Sequence, residues 1–333
     1  MSRIGTLMEL FLHNDCTRNK LLDLASGLSD AQLDQSFEIG LGTLRRTLHH
    51  LWAAERIWLD RWLGRPNAKL AEPQPRQPVA ELRRQFDETA AERNEWLSAR
   101  TDEALERPLT YTNTRGQTLT FRLADTLTHV CNHGMHHRAQ AINMLRQLGV
   151  RPPRADYIFM KIEQPSPAPH ALSPAMIREY FEYGEWASGR VLEAMSALND
   201  AQLDRTFEMG LGTLRRTMLH VHDAEQWWLG NWTRGPERAF PKLGDGVALP
   251  EIRRRFESTA AERRAFMSTL SVDGLKNTVK VQPMPGMFRT YFVGETLLQS
   301  CTHGTHHRAQ ALNMLRRVGA KPPEIDYIAR LRT

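Results

Sequence analysis

Residues 131–145 read CNHGMHHRAQAINML, and residues 301–315 read CTHGTHHRAQALNML. The first stretch sits in a helical pattern in which Leu123, Leu127, Val130, Gly134, Ala141, Met144 and Leu148 form one apolar or small-residue stripe. At about 100° per residue, His137 lies roughly 20° from the centre of that stripe, His133 roughly 60° and His136 roughly 120°. His133 and His137 therefore face inward one turn apart, while His136 faces the rim or solvent. Two histidines at i and i+4 on one helix face make a two-point platform for a transition metal.

The duplication extends outward from this stretch. Residues 31–50 read AQLDQSFEIGLGTLRRTLHH, and residues 201–220 read AQLDRTFEMGLGTLRRTMLH. The tails PPRADYI (152–158) and PPEIDYI (322–328) also match. One offset aligns the two halves from the first helix to the last. A period this long is far beyond a solenoid unit, so it reads as a domain duplication. The expected division is 1–162, a proline-rich linker EQPSPAPHALSP at 163–174, and 175–333.

Each half reads as four amphipathic helices with one short β-like interruption. In the first half the first helix spans about Ile4 to Gly27. The second follows a Thr43 N-cap and runs to about Leu63, ending before Gly64 and Pro66. The third spans about Val79 to Arg100. LTYTNTRGQTLTF then reads as a hairpin, and the fourth helix spans about Arg122 to Leu148, stopping at Gly149. The expected fold class is all-α, with two tandem helix bundles whose cores can host a metal site.

Composition narrows the function classes. With 41% hydrophobic and 25% charged residues, the 333-residue chain is ordinary for a soluble protein of two domains. It contains no apolar run of membrane-spanning length, and its first residues do not read as a signal peptide. Three cysteines, Cys16, Cys131 and Cys301, argue against a disulfide framework and fit a reducing cytoplasm. The formal charge of +6 admits nucleic acid as a partner. However, the arginines alternate with glutamates, as in Glu81-Leu82-Arg83-Arg84, which is the pattern of a solvated helical face.

The repeat sorts 12 of the 13 histidines. His50 recurs as His220, and His133, His136 and His137 recur as His303, His306 and His307. His49, His129, His13 and His222 face Leu219, Gln299, Tyr183 and Trp52 and do not recur. A catalytic zinc-type site takes three protein ligands and leaves one position open. His50 with His133 and His137, and His220 with His303 and His307, supply that number. The competing reading is two clusters of buried structural histidines, but three imidazoles without a metal would carry lone pairs needing partners.

Other recurring residues are open in role. Glu55 and Glu225 could orient a metal-bound histidine or form a surface ion pair with an arginine. Arg138 and Gln140, recurring as Arg308 and Gln310, could hold the helix end, bind an acidic substrate or bridge the domains. His129, replaced by Gln299, fits a hydrogen-bonding role. Trp58 and Trp228 read as core packing or pocket lining, and Cys131 and Cys301 as small buried residues.

The string His-x-x-x-His-His-Arg-Ala-Gln, with an upstream helical histidine, resembles the DinB/YfiT-like metal-binding four-helix bundles. The resemblance covers essentially the whole chain, twice. It implies up-down-down-up bundles with a small hairpin before the last helix, and a divalent metal, often zinc or nickel, held by three histidines. Carried onto this chain these are His50, His133 and His137, then His220, His303 and His307. The family's usual glycine after the arginine is alanine here, at Ala139 and Ala309. Single-domain relatives resemble homodimers, so a tandem chain is expected to form an intramolecular pseudo-dimer.

Some such relatives are thiol-dependent S-transferases or isomerases. An open metal position can hold a low-molecular-weight thiol as its nucleophilic thiolate. The expected function is a metal-dependent thiol S-transferase acting on small electrophilic or stress-related compounds. The alternative is a non-catalytic metal-binding stress-response protein, with nucleic-acid binding ranked last.

Overall fold

In the computed structural model, described for residues 2–65, 69–235, 239–241, 244 and 246–332, the chain is mostly helical. The first half contains α1 (Arg3–Ser26), α2 (Asp30–Leu33), α3 (Leu44–Trp62), α4 (Val79–Ser98), α5 (Asp102–Leu105), β1 (Pro108–Thr112), β2 (Thr118–Arg122) and α6 (Leu123–Gln147). After α7 (Tyr157–Glu163) the order repeats: α8 (Pro174–Met195), α9 (Asp200–Leu203), α10 (Leu214–Arg234), α11 (Leu249–Thr269), α12 (Val272–Lys276), β3 (Thr278–Met284), β4 (Met287–Phe292) and α13 (Val293–Arg317). α14 (Tyr327–Arg330) follows. The sequence boundaries hold to within two residues at each long helix of the first half. The expected stop signal Pro66 lies outside the described residues.

Local chemistry sets the ends. The Thr43 side chain accepts from the Arg46 N–H at the start of α3, and Thr213 does the same for Arg216 at α10. Beyond α6, Gly149 takes φ +74, and the N–H groups of Gly149 and Val150 close on the carbonyls of Arg146 and Leu145. The β1–β2 hairpin is regular, pairing Tyr111 with Leu119. The β3–β4 hairpin loses register between Val281 and Met284, where Pro283 has no N–H to donate.

In the first half α1 and α3 each pack against both α4 and α6. Leu7, Leu10, Phe11, Leu44, Leu48, Phe86, Leu127 and Leu145 fill the space between them and are fully or almost fully buried. In the second half α8 and α10 each pack against α11 and α13 in the same way. Truncating such a leucine to alanine typically costs about 2–5 kcal/mol.

The chain forms two compact units, and they differ from the sequence repeats. One unit is Ser2–Arg154 with Asp326–Thr333, called here the first unit, and the second is Ala155–Ile325. A division at 162 and 175 places α7 with the first repeat and α14 with the second. Packing reverses both: α7 lies against α13, and α14 lies against α6. The Ile158 N–H donates to Gln299 Oε1 at 2.8 Å, and Tyr157 is fully buried. No described helix is long and apolar enough to cross a membrane.

Candidate metal centres

The ring nitrogens of His50, from α3, and of His133 and His137, from α6, converge so that one ligand atom from each lies within 4.8 Å of the others. His220, His303 and His307 repeat the arrangement in the second unit. His50 Nε2 is 3.3 Å from His133 Nε2, and His220 Nε2 is 3.1 Å from His303 Nε2. Two imidazoles bound tetrahedrally at about 2.0–2.1 Å from one ion have nitrogens about 3.3 Å apart. The donor set and its spacing therefore fit a divalent transition metal.

Electrostatics prepares the same state. Burial, reinforced by the neighbouring imidazoles, holds His133, His137, His303 and His307 well below the ordinary histidine range. His50 and His220 are lowered by burial as well. Neutral imidazoles are the form that binds metal.

Tautomer is set by a residue whose role the sequence left open. Gln140 Oε1 lies 2.8 Å from His137 Nδ1, so Nδ1–H donates and Nε2 keeps its lone pair for the cluster. Gln140 Nε2 in turn donates to His136 Nε2 at 2.9 Å. Gln310 makes the same pair of bonds to His307 and His306, at 2.8 and 3.0 Å. The amides fit because Gly40 and Gly210 face them: a β-carbon at Gly40 would overlap Gln140 Oε1, and one at Gly210 would lie 2.5 Å from Gln310 Oε1. Both glycines have φ near +50°, so no other residue type fits without strain. His136 thus contacts the glutamine rather than standing free at the rim. The G-L-G loop carried the signal, since its glycine recurs along with the glutamine.

Glu55 and Glu225 do not serve the histidines. Glu55 Oε2 is 3.4 Å from Arg93 and 3.9 Å from Arg18, and Glu225 Oε2 is 2.5 Å from Arg263. The ion-pair reading holds, but Glu55 is 6% exposed, so its pair is buried rather than on the surface. Gly134, in the small-residue stripe of α6, makes room for an arginine. A β-carbon there would lie 2.8 Å from Arg138 Nη1, so the glycine admits the buried Arg138 guanidinium, which donates to Asn14 Oδ1 at 2.5 Å. Burial lowers Arg138 to about 10.

Cys131 and Cys301 are buried free thiols, pushed up by desolvation and so poor nucleophiles. Trp58 packs on Tyr111 and His129, with ring centroids 4.8 and 5.3 Å apart. The His129 ring lies tilted beside that of His133, with centroids 5.7 Å apart, and its Nδ1 is buried with no hydrogen-bond partner among the described residues. The hydrogen-bonding role expected of His129 is seen instead at its counterpart Gln299, which accepts from the Ile158 N–H.

The tail aspartate was missed. Asp326, at the start of α14, acts electrostatically on both His50 and His129, favouring their protonated forms. Neither Asp326 nor Asp156 caps its own helix. Both lie in the recurring D-Y-I tail, whose repetition was the available signal.

A helical chain that gathers three neutral imidazoles beside an orienting amide, twice, defines a two-site candidate metal-binding protein. The DinB family model matches residues 1–168 and 170–333, so the chain belongs to the DinB family, in two tandem copies. No curated protein and no solved structure matches significantly.

Proposed function

We propose that each unit binds one divalent metal, zinc or nickel, through His50, His133 and His137 or through His220, His303 and His307. The observation that carries this is the three-nitrogen cluster with its glutamine-fixed tautomer. We further propose that each helical unit is an up-down-down-up four-helix bundle. The repeats 1–162 and 175–333, joined by 163–174, are the duplicated evolutionary units, paired as an intramolecular pseudo-dimer in the cytoplasm.

The function is a metal-dependent thiol S-transferase acting on small electrophilic or stress-related compounds. Bound metal would hold a low-molecular-weight thiol as thiolate. The protein's own part is to keep the imidazoles neutral, fix their tautomer and keep its buried cysteines out of the chemistry. Elemental analysis of protein purified without a histidine tag should give two metals per chain. Glutathione, bacillithiol and mycothiol should then each be offered with monochlorobimane. Metal-dependent conjugation with one of them supports the transferase. Two bound metals with no conjugation supports the non-catalytic metal-binding stress protein instead.

A further inference from the structure

The one histidine that the repeat does not sort, His170, lies in the proline-rich segment between the repeats. Hydrogen bonds tie that segment to the start of α13. In the first unit the acid at the matching helix start, Asp125, is held by Arg122, whose Nε and Nη2 each donate to it at 2.8 Å. The second unit has Glu295 in place of Asp125 and Phe292 in place of Arg122, so an aromatic ring replaces that arginine. Glu295 is buried, and its Oε2 accepts from the Phe292 N–H at 3.2 Å. Its Oε1 faces three groups that precede α8: Ser166 Oγ at 2.6 Å, Lys161 Nζ at 3.9 Å and His170 Nε2 at 4.0 Å.

The half-buried Ser166 hydroxyl stands among these groups. Lys161 Nζ donates to Ser166 Oγ at 3.1 Å, and His170 Nε2 is 2.7 Å from the same oxygen. Lys161 Nζ also donates to His170 Nε2 at 2.9 Å, so that nitrogen carries a lone pair. A plain ion pair would bring Lys161 and Glu295 into direct contact. Here a hydroxyl lies between them, with two proton acceptors within 2.7 Å of its oxygen. A base within hydrogen-bond reach and a cation on the oxygen are what activate a serine as a nucleophile. The hydroxyl opens on a cavity of about 550 Å³, whose lining includes Lys161, Ser166, Arg289, Thr290, Tyr291 and Glu295. That volume holds a small molecule, and its partly polar walls suit a short acyl group better than a long chain.

We propose that Ser166 is a nucleophile that hydrolyses small carboxylic esters at this cavity, with His170 as its base. Ser166 Oγ attacks the ester carbonyl carbon, and its proton passes to His170 Nε2. The oxyanion that forms faces the Lys161 ammonium. As it collapses, the bond from carbon to the alcohol oxygen breaks, and His170 returns the proton to that oxygen. Water then adds to the acyl-serine by the same route, which releases the carboxylic acid and restores the hydroxyl. In both tetrahedral states two cations, Lys161 and the imidazolium, face two anions, Glu295 and the oxyanion, so the cluster stays balanced.

The test treats the full-length protein with diisopropyl fluorophosphate, maps the adduct by peptide mass spectrometry, and follows hydrolysis of 4-nitrophenyl acetate. A single diisopropylphosphoryl group per chain should be found, on Ser166. Ser166→Ala should lose the label and lower kcat/KM for the ester by about 100-fold or more. His170→Gln should keep the hydroxyl, slow its labelling and lower kcat by about 100-fold. No adduct, or an adduct only at other residues, overturns the proposal. So does ester hydrolysis that Ser166→Ala leaves unchanged, which is the result expected if metal-bound hydroxide at the histidine clusters does the work. Labelling does not depend on bound metal, so its outcome is separate from that of the metal and transferase readings. If Ser166→Ala fails to fold, the position of the adduct in the unaltered chain decides alone.

Discussion

The two units keep some features to the atom and let others go. Both converge three imidazoles, both rest the last histidine of the triad on a glutamine, and both clear space for that glutamine with a positive-φ glycine. One turn upstream they diverge: the first unit has His129 beside His133, and the second has Gln299 bonded to the Ile158 amide. The outer face differs as well. His220 packs at 5.5 Å against Phe240, which itself contacts Trp227. The part that repeats is what fixes nitrogen lone pairs in space. The part that varies surrounds it, so the two centres share a three-histidine platform and present different walls to whatever approaches.

The largest expected effect breaks both platforms at once. His137→Ala with His307→Ala should abolish tight metal binding, and each single substitution should remove one of two metals per chain, read by elemental analysis. Near-full occupancy in the double variant would refute the ligand assignment. A smaller effect probes the shared support. Gly40→Ala must displace the Gln140 amide and should weaken metal binding in the first unit about 10–100-fold, as Gly210→Ala should in the second. Competition with a chelating dye measures both. If Gly40→Ala leaves the affinity unchanged, the glutamine does not govern the triad.

Acidity gives the third comparison. In metal-free protein the triad histidines sit below their unfolded value, so the unfolded chain takes up protons first as pH falls through about 6.5. Their contribution to stability is therefore present above that value and is lost toward acid. Denaturant midpoints should fall from pH 7 to pH 5, and the double histidine variant should flatten the slope. Asp156 has the opposite sign. Burial raises it to about 6, so its folded form prefers the proton, and ionisation costs stability as pH rises from about 4 through 6. Asp156→Asn should stabilise the metal-free protein at pH 7 by on the order of 1–3 kcal/mol and by much less near pH 4. An equal gain at both pH values would show that desolvation of its charge is not the cause.

Much of this was legible from local pattern. Thr43 as a cap, Gly149 as a stop and the spacing of His133 and His137 depend on residues within a turn or two of one another. The duplication then removed the histidines that do not recur. What escaped were contacts whose partners are far apart in sequence and whose chemistry is unremarkable alone. Gln140 is an ordinary helical residue until Gly40 is brought against it. Glu55 read as equally suited to an imidazole or an arginine, and only packing put Arg93 and Arg18 beside it. The destination of the tails was undecidable for a different reason. PPRADYI and PPEIDYI share their prolines and their D-Y-I ending, and nothing local records which one docks where.

That reciprocal placement of the tails has a consequence for synthesis. The first unit includes α14, packed on α6. Its helices leave the ribosome first, yet the face of α6 that takes α14 stays open until the whole second repeat has been translated. The second unit, by contrast, has every residue it needs once Ile325 has emerged. The half made first is therefore the half finished last, and a nascent chain stalled between the repeats would expose the docking face of α6 for as long as the stall persists.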